Sequence, residues 1–256
     1  MKEKKLISFY GDPELKKKYV ERAIAHRKAD EIVQGQYWED GKGCCIGCLA
    51  HVNTGAHAYL EGKTGVRRNI YRLADRIFEE LTKKECKRFP EQLIKALPVR
   101  SDLSLVLPKF FIKLLKRSKR HCSSKGMQAT EQIIKMYKNL LKGKVYSKEE
   151  WRAAAAAAAA ADDAAAAKYA AKYAAAAAAA DDAAAAVAKY AAKYAAAAAK
   201  YAADAADDAA KYAAAAAKYA AKYAADDAAK YAADARHLEF SKQKKDLLNI
   251  LKKEND

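Results

Sequence analysis

The residues best suited to chemistry lie in one short segment, the Cys loop, defined here as residues 41–51 (GKGCCIGCLAH). Cys45, Cys48, His51 and the nearby His57 are side chains of the types that bind zinc. These four residues follow each other more closely than the ligands of most structural zinc sites. We therefore predict that the chain holds no metal ion here and needs no cofactor.

A helix that begins at Cys44 would give the loop a different chemistry. Unpaired N–H groups at a helix start, together with Lys42, favour a thiolate and so lower the pKa of the thiol. Cys44 or Cys48, acting with His51, could then serve a small hydrolase or transferase. The same N–H groups could bind a phosphate-like anion. The predicted ligand-binding residues are Trp38, Lys42, Gly43, Cys44, Cys48 and His51.

Helical spacing makes a geometric prediction about these residues. Positions i and i+4 of a helix share a face, so a helix that opens at Cys44 would bring Cys44, Cys48 and His51 together. The alternative is that the Cys loop is part of the core, because a buried cysteine behaves as a small apolar residue. The sequence leaves these alternatives open.

The chain has 256 residues and a formal net charge of +17. Residues 1–152 contain 34 Lys and Arg and 18 Asp and Glu, so that part alone carries +16. Such an excess of positive charge is typical of proteins that meet nucleic acid or another polyanion. A lysine-rich solvated surface is the simpler alternative.

Cysteine usage and hydropathy indicate the compartment. Five cysteines, three of them within the Cys loop, make an unsuitable disulfide framework. The charged N-terminus is not followed by a long apolar run, and the sequence has no strongly apolar stretch long enough to span a bilayer. We expect a soluble, cytoplasmic protein without a membrane partner.

Helical periodicity dominates residues 1–147 and no strand pattern stands out, so the predicted fold class is all-α. Asp12-Pro13 should start a helix that runs to about Gln34. Capping boxes are expected at Thr82–Glu85 and Ser147–Glu150. Further helices are predicted at 67–81, from Pro90 to about Leu97, at 103–117 after an Asp102 cap with a bend at Pro108, and at 130–141 before Gly143.

Residues 153–235, called the alanine tract here, contain only Ala, Asp, Lys, Tyr and the single Val187. At 100° per residue the nine tyrosines fall within an arc of about 140°. This phase predicts one long helix over residues 148–235, with a hairpin broken at the Asp pairs as the alternative. The tyrosine face would pack on a helix of the same chain or of a second copy. The predicted interface residues are Tyr169, Tyr173, Tyr190, Tyr194, Tyr201, Tyr212, Tyr219, Tyr223 and Tyr231.

Residues 236–256 return to ordinary amphipathic composition. Phe240, Leu247 and Leu251 are out of phase with the tyrosines, which predicts a break near residues 234–237 and a final helix that docks on the N-terminal part. The predicted organisation is a basic helical domain over 1–147, a helical tract over 148–235 and a C-terminal helix over 236–256.

The run from Tyr37 to Cys44 (YWEDGKGC), followed by Gly47-Cys48, resembles a family of uncharacterised bacterial and phage proteins. Residues 73–79 (LADRIFE) and 98–106 carry the same resemblance. Members have a Trp-x-Asp-Gly-(Lys/Arg)-Gly-Cys-x-x-Gly-Cys loop and an Ala-rich C-terminal tract studded with aromatic residues. Cys45 stands where the family has Ala. The resemblance covers most of residues 10–150 and implies no activity.

Together these features favour a non-enzymatic interaction or assembly protein, associated with a phage or another mobile element, that has a ligand pocket at the Cys loop. One alternative is a nucleic-acid-binding protein that uses its basic N-terminal part. Another is a cysteine-dependent small hydrolase or transferase.

The basic N-terminal part generates a prediction about nucleic acid. We expect weak, sequence-independent binding of DNA or RNA at low salt, with an affinity that falls steeply as salt rises because bound phosphates release counterions. A mobility-shift titration at several salt concentrations measures this dependence. Absence of any shift at low salt would remove the nucleic-acid interpretation.

Overall fold

The computed structural model describes residues 6–118, 124–160 and 221–254, with side chains described except at 118, 158–160 and 221–232. This part of the chain is predominantly helical, which confirms the predicted all-α class. A 3₁₀ turn over Ser8–Gly11 comes first. The helices are α1 Pro13–Lys28, α2 Cys45–Ala50, α3 Ala56–Thr64, α4 Arg68–Glu79, α5 Lys83–Cys86, α6 Phe89–Ala96, α7 Val106–Ser118, α8 Ser124–Leu140, α9 Lys148–Ala160 and α10 Ala221–Lys253.

Helix α1 ends earlier than the sequence predicts. Asp12 caps its start by accepting the Glu14 N–H at 2.8 Å, as expected, but the helix stops at Lys28 instead of Gln34. Asp30 takes a left-handed conformation with a φ of 58°, and the next residues leave the helix to pair with the Cys loop. The Val33 N–H donates to the Gly43 carbonyl at 2.9 Å.

A small antiparallel hairpin, which the sequence analysis did not predict, precedes α2. Strand β1 (Trp38–Glu39) pairs with β2 (Lys42–Gly43) across a two-residue turn. The turn residues Asp40 and Gly41 have φ angles of 48° and 78°, and Asp-Gly is a preferred pair for such a turn. Strands of two residues are too short to show an alternating pattern, so Asp40-Gly41 was the only local signal.

Local capping signals are confirmed. The Glu85 N–H donates to Thr82 Oγ1 at 3.3 Å. Ser147 and Glu150 form both bonds of a capping box, at 2.7 and 3.1 Å, at the start of α9.

Helix α7 starts three residues later than predicted. Asp102 caps a turn by accepting the Ser104 N–H at 2.9 Å, and the helix begins only at Val106. Pro108 therefore lies in the first turn, where a missing N–H costs no hydrogen bond, and it neither bends nor splits the helix.

Helix α4 lies at the centre of the fold and packs against α2, α3, α7 and α10. Ile70, Leu73 and Ile77, which the sequence places on one face at helical spacing, are buried. Tyr71, Ala74 and Phe78 are also buried, so the apolar surface of α4 covers more than one stripe. The polar residues of this helix are consequently confined to a narrow sector.

The C-terminal helix α10 runs without a break from Ala221 to Lys253, so the predicted break at residues 234–237 is wrong. No Gly or Pro interrupts this stretch, and its residues are mostly strong helix formers. The predicted docking of this helix on the N-terminal part is confirmed. Phe240, Leu247 and Leu251 are fully buried, and α10 packs against α4, α6 and α7.

Ion pairs border this apolar contact. Arg236 pairs with Glu80 through two nitrogens, and Arg117 of α7 pairs with Asp246 and Glu239.

The helices that contain the two described ends of the alanine tract pack on different partners: α9 packs on α8, and α10 packs on α4, α6 and α7. The Trp151 ring of α9 lies 5.0 Å from the Tyr137 ring of α8, and Arg236 of α10 contacts α4. Within the predicted helix over 148–235, residues 148–160 and 221–235 are helical. Residues 161–220, with seven of the nine predicted interface tyrosines and the Asp pairs at 162–163, 181–182 and 207–208, lie outside the described residues.

No helix in the described part of the chain combines the length and the apolar composition needed to cross a membrane.

The docking of α10 gives a test of stability. Phe240→Ala should lower the free energy of unfolding by about 3–5 kcal/mol, because it removes a fully buried ring and leaves a cavity. Leu238→Ala is the matched control on the same helix, since Leu238 is 58 % exposed, and should change stability by less than about 0.5 kcal/mol. Urea unfolding measures both values. Equal effects would show that α10 is not docked as described.

Candidate functional site

Two glycines of the Cys loop are required by a close backbone approach. The Tyr37 carbonyl oxygen lies 1.6 Å from the place where a Cβ on Gly47 would stand, and 2.4 Å from that of Gly43. The Cys44 N–H donates to the carbonyls of Gln36 and Tyr37 at 2.6 and 3.2 Å. The chain entering the hairpin therefore lies directly across the start of α2, and only glycine fits beneath it.

Cys44 is the N-cap of α2, which confirms the predicted helix start. Its Sγ accepts the Gly47 N–H at 3.4 Å, and its ψ of 178° is extended, not helical. The expected common face of Cys44, Cys48 and His51 therefore does not form, because helical spacing does not extend to an extended N-cap residue. The Cys48 thiol instead donates to the Gly43 carbonyl at 3.2 Å.

The predicted activation of Cys44 is wrong. Burial, followed by the neighbouring Asp75 carboxylate, raises the pKa of the Cys44 thiol far above its ordinary value, and the helix N–H groups offset this only in part. Burial raises the pKa of Cys48 to about 12. Lys42 is exposed and cannot compensate. Both thiols are protonated at neutral pH, so neither is a ready nucleophile.

The predicted zinc set also separates in the structure. Cys45 is completely buried in the core, and Cys48 faces backbone carbonyls. His51 and His57 belong to two different polar clusters, described below. The core interpretation of the Cys loop therefore holds for Cys45 and Cys48, whereas Cys44 faces polar groups.

Cys44, Asp75 and Glu79 form a group that we call the thiol–carboxylate cluster. The Cys44 Sγ and one carboxylate oxygen from each acid all lie within 4.8 Å of one another. Asp75 and Glu79 are one turn apart on α4 and so share a face. Glu79 also accepts the Gly35 N–H at 2.8 Å. Burial, with a smaller effect from Asp75, raises the pKa of the Glu79 carboxyl.

His57 of α3 adjoins this cluster. Its Nδ1 lies 3.0 Å from the Tyr37 hydroxyl, and its Nε2 lies 3.3 Å from Asp75 Oδ2. Burial and the Asp75 charge raise the pKa of Tyr37 to about 12, so the hydroxyl keeps its proton and can donate to His57. Across the described ranges of the chain, His57 Nε2 and Asp75 Oδ1 are buried without a hydrogen-bond partner.

A second cluster, the histidine pair, consists of His26 and His51. The two Nε2 atoms are 2.6 Å apart, so one proton must lie between them, and His26 Nδ1 is 2.6 Å from Glu31 Oε2. The Trp38 ring stacks on His51 at 4.5 Å. Burial and the Arg22 charge lower the pKa of His51, which favours its neutral form. The contacts named here occupy both nitrogens of His26.

Of the predicted site residues, the structure brings Trp38 and His51 together and places Cys44 elsewhere. Lys42 is exposed on strand β2. Sequence reasoning missed Asp75 and Glu79. The one available signal was the pair of acids at i and i+4 in an otherwise apolar helix, because acids that share a face with core residues rarely occur without a partner.

A comparison of the chain with protein-family models, with curated proteins and with solved structures found no match.

The approach of Tyr37 to α2 generates a test. Gly47→Ala should destabilise the protein by about 3 kcal/mol or more, because the new Cβ meets a backbone oxygen that cannot move alone. Gly62→Ala in α3 is the control, since nothing lies within 4 Å of its Cβ position. That change should stabilise by about 0.5–1 kcal/mol through the better helix propensity of Ala. Thermal and urea unfolding of both variants decide the matter, and similar effects would contradict the described packing.

Proposed function

We propose that the protein is a non-enzymatic interaction protein that binds one divalent metal ion at the thiol–carboxylate cluster, with His57 as a further ligand. The observation that carries this proposal is the convergence of Cys44, Asp75 and Glu79 to within 4.8 Å. Three segments distant in sequence supply these side chains. Cys44 is the N-cap residue of α2, His57 belongs to α3, and Asp75 and Glu79 belong to α4.

The electrostatics of the cluster favour a bound cation. Two carboxylates and a thiol share this space, and both burial and the Asp75 charge oppose the ionisation of Cys44 and of Glu79. Such groups either hold protons or share a positive ion, whose charge reverses the direction of these pKa shifts. The unpartnered His57 Nε2 and Asp75 Oδ1 add two buried polar atoms that coordination would satisfy.

The donor set selects the metal. Thiolate, imidazole and carboxylate together are ligands of zinc, whereas magnesium and calcium prefer oxygen alone. Two atoms that each lie about 2.3 Å from one ion can be at most about 4.6 Å apart. The cluster therefore needs only a small contraction to hold a zinc ion.

An interaction role agrees better with the site than a cysteine-dependent reaction does. The raised pKa values of Cys44 and Cys48 leave little thiolate for attack on a substrate. A zinc ion at the cluster would instead fasten the Cys loop to α3 and α4. The alanine tract is our candidate for the assembly surface. The helix at its start, α9, packs on α8, and the helix at its end, α10, packs on α4, α6 and α7.

Zinc titration tests the proposal. Chelator-treated protein should take up one equivalent of zinc, measured by calorimetry and elemental analysis, and its melting temperature should rise because zinc binds the folded state. Asp75→Asn and Glu79→Gln should each weaken binding by ~10-fold or more, and Cys44→Ser should do the same. Binding should also weaken as pH falls, because protons compete for the same ligands.

Cys48→Ala is the matched control, because this cysteine lies in the same loop and faces backbone carbonyls instead of the cluster. Its zinc affinity should equal that of the unmodified protein. Loss of zinc binding in Cys48→Ala but not in Cys44→Ser would support the ligand set suggested by spacing alone. That result, or no stoichiometric binding at all, would overturn the proposed cluster.

A further inference from the structure

The histidine pair is a group of titratable side chains outside the thiol–carboxylate cluster. It joins three parts of the fold: His26 belongs to α1, His51 is the C-cap residue of α2, and Trp38 of β1 stacks on the His51 ring. His26 is only 8 % exposed, whereas His51 lies at the surface. The inner ring is therefore fixed by its surroundings, and the outer ring has room to turn toward solvent.

The distance within the pair limits the charge that it can carry. The two Nε2 atoms are 2.6 Å apart, so one nitrogen donates a hydrogen bond and the other accepts it. An imidazolium has a hydrogen on both of its nitrogens, so two charged rings would direct two N–H groups at each other across this distance. The closed pair therefore holds at most one positive charge, and a second proton forces the rings apart.

The environment of the outer ring determines the pH at which this happens. Burial, followed by the charges of Arg22 and His26, lowers the pKa of His51, and the Cys48 carbonyl and the Glu31 charge oppose this with smaller effects. A His51 ring released to water recovers the ordinary pKa of about 6.5. The released ring therefore binds a proton more readily than the paired ring, so release is favoured as the pH falls below about 6.5.

Charged groups of the neighbouring elements are directed to other contacts. On the hairpin, Glu39 and Lys42 are cross-strand partners whose side chains lie on the face opposite to Trp38. The groups on the neighbouring helices that take part in other contacts are His57 of α3 with Asp75 and Glu79 of α4, and Glu91 of α6 with Arg27 and Lys95. Arg22 and Glu31 are the charged side chains that act on the pair.

We propose that the histidine pair is a pH-sensitive switch, which holds His51 against His26 and Trp38 at neutral pH and releases the His51 ring in acid. The release is local. Arg22 Nη1 donates to the Leu49 carbonyl at 2.7 Å and Leu49 is fully buried, so α2 itself stays on α1. What changes is the face of the Trp38 ring that His51 covers, because this face becomes accessible to solvent.

The experiment follows Trp38 in the full-length protein, with a chelator present so that metal binding at the thiol–carboxylate cluster does not contribute. The chain has two tryptophans, so Trp151→Phe leaves Trp38 as the only one. Quenching of its fluorescence by acrylamide should increase ~2-fold or more between about pH 7.5 and about pH 5, with unchanged far-UV circular dichroism. Constant quenching over this range would overturn the switch.

Two variants in the same background assign the change to the pair. His51→Phe keeps a ring that can stack on Trp38 but has no nitrogen to protonate, so the increase in quenching should disappear. His237→Gln is the control, since His237 lies on α10 and contacts the Glu80 carbonyl, and it should keep the increase. An increase that persists in His51→Phe would overturn the proposal, as would its loss in His237→Gln.

Proton NMR of the histidine rings gives a second measurement on the unmodified protein. Because His26 and His51 share one proton, the two rings should titrate together in two steps. Independent, single-step titration of each ring would overturn the switch even if the variants fail to fold.

Discussion

The contact between the Tyr37 carbonyl and α2 is the constraint on which the site depends. Gly43 and Gly47 let the chain before the hairpin cross the start of this helix at a distance that no side chain would allow. The crossing fixes the Cys44 backbone, since its N–H is used by the Gln36 and Tyr37 carbonyls. It also aligns Tyr37 and Trp38, which follow one another, with two different clusters: Tyr37 contacts His57, and Trp38 stacks on His51.

This backbone arrangement changes the chemistry of the Cys loop. Held as an extended N-cap, Cys44 faces two carboxylates of α4 instead of the other residues of its own helix. A helix N-terminus normally favours a thiolate, but here the desolvation of the thiol and the Asp75 charge are the larger effects. The outcome is a thiol that favours its protonated form, which does not suit a nucleophile.

Helix α4 connects this site to the rest of the fold. Its apolar residues pack against α2, α3, α7 and α10, so its polar sector is held rigidly toward the Cys loop. The C-terminal helix contributes to that rigidity by burying Phe240 and Leu247 and by pairing Arg236 with Glu80, beside the acidic pair. Helix α4 therefore contacts both the Cys loop helix α2 and the C-terminal helix α10.

The sequence by itself determined the starts of α1, α5 and α9, because Asp12 and the Thr82 and Ser147 capping boxes act within a few residues. It also determined that the final segment is apolar on one side and docks. The early end of α1, the two-residue strands and the unbroken α10 depended on pairing or packing that local patterns do not contain. Only the tertiary structure decided the site, since Cys44 meets Asp75 and Glu79 across about 30 residues of chain, and spacing along a sequence cannot report which distant side chains share a space.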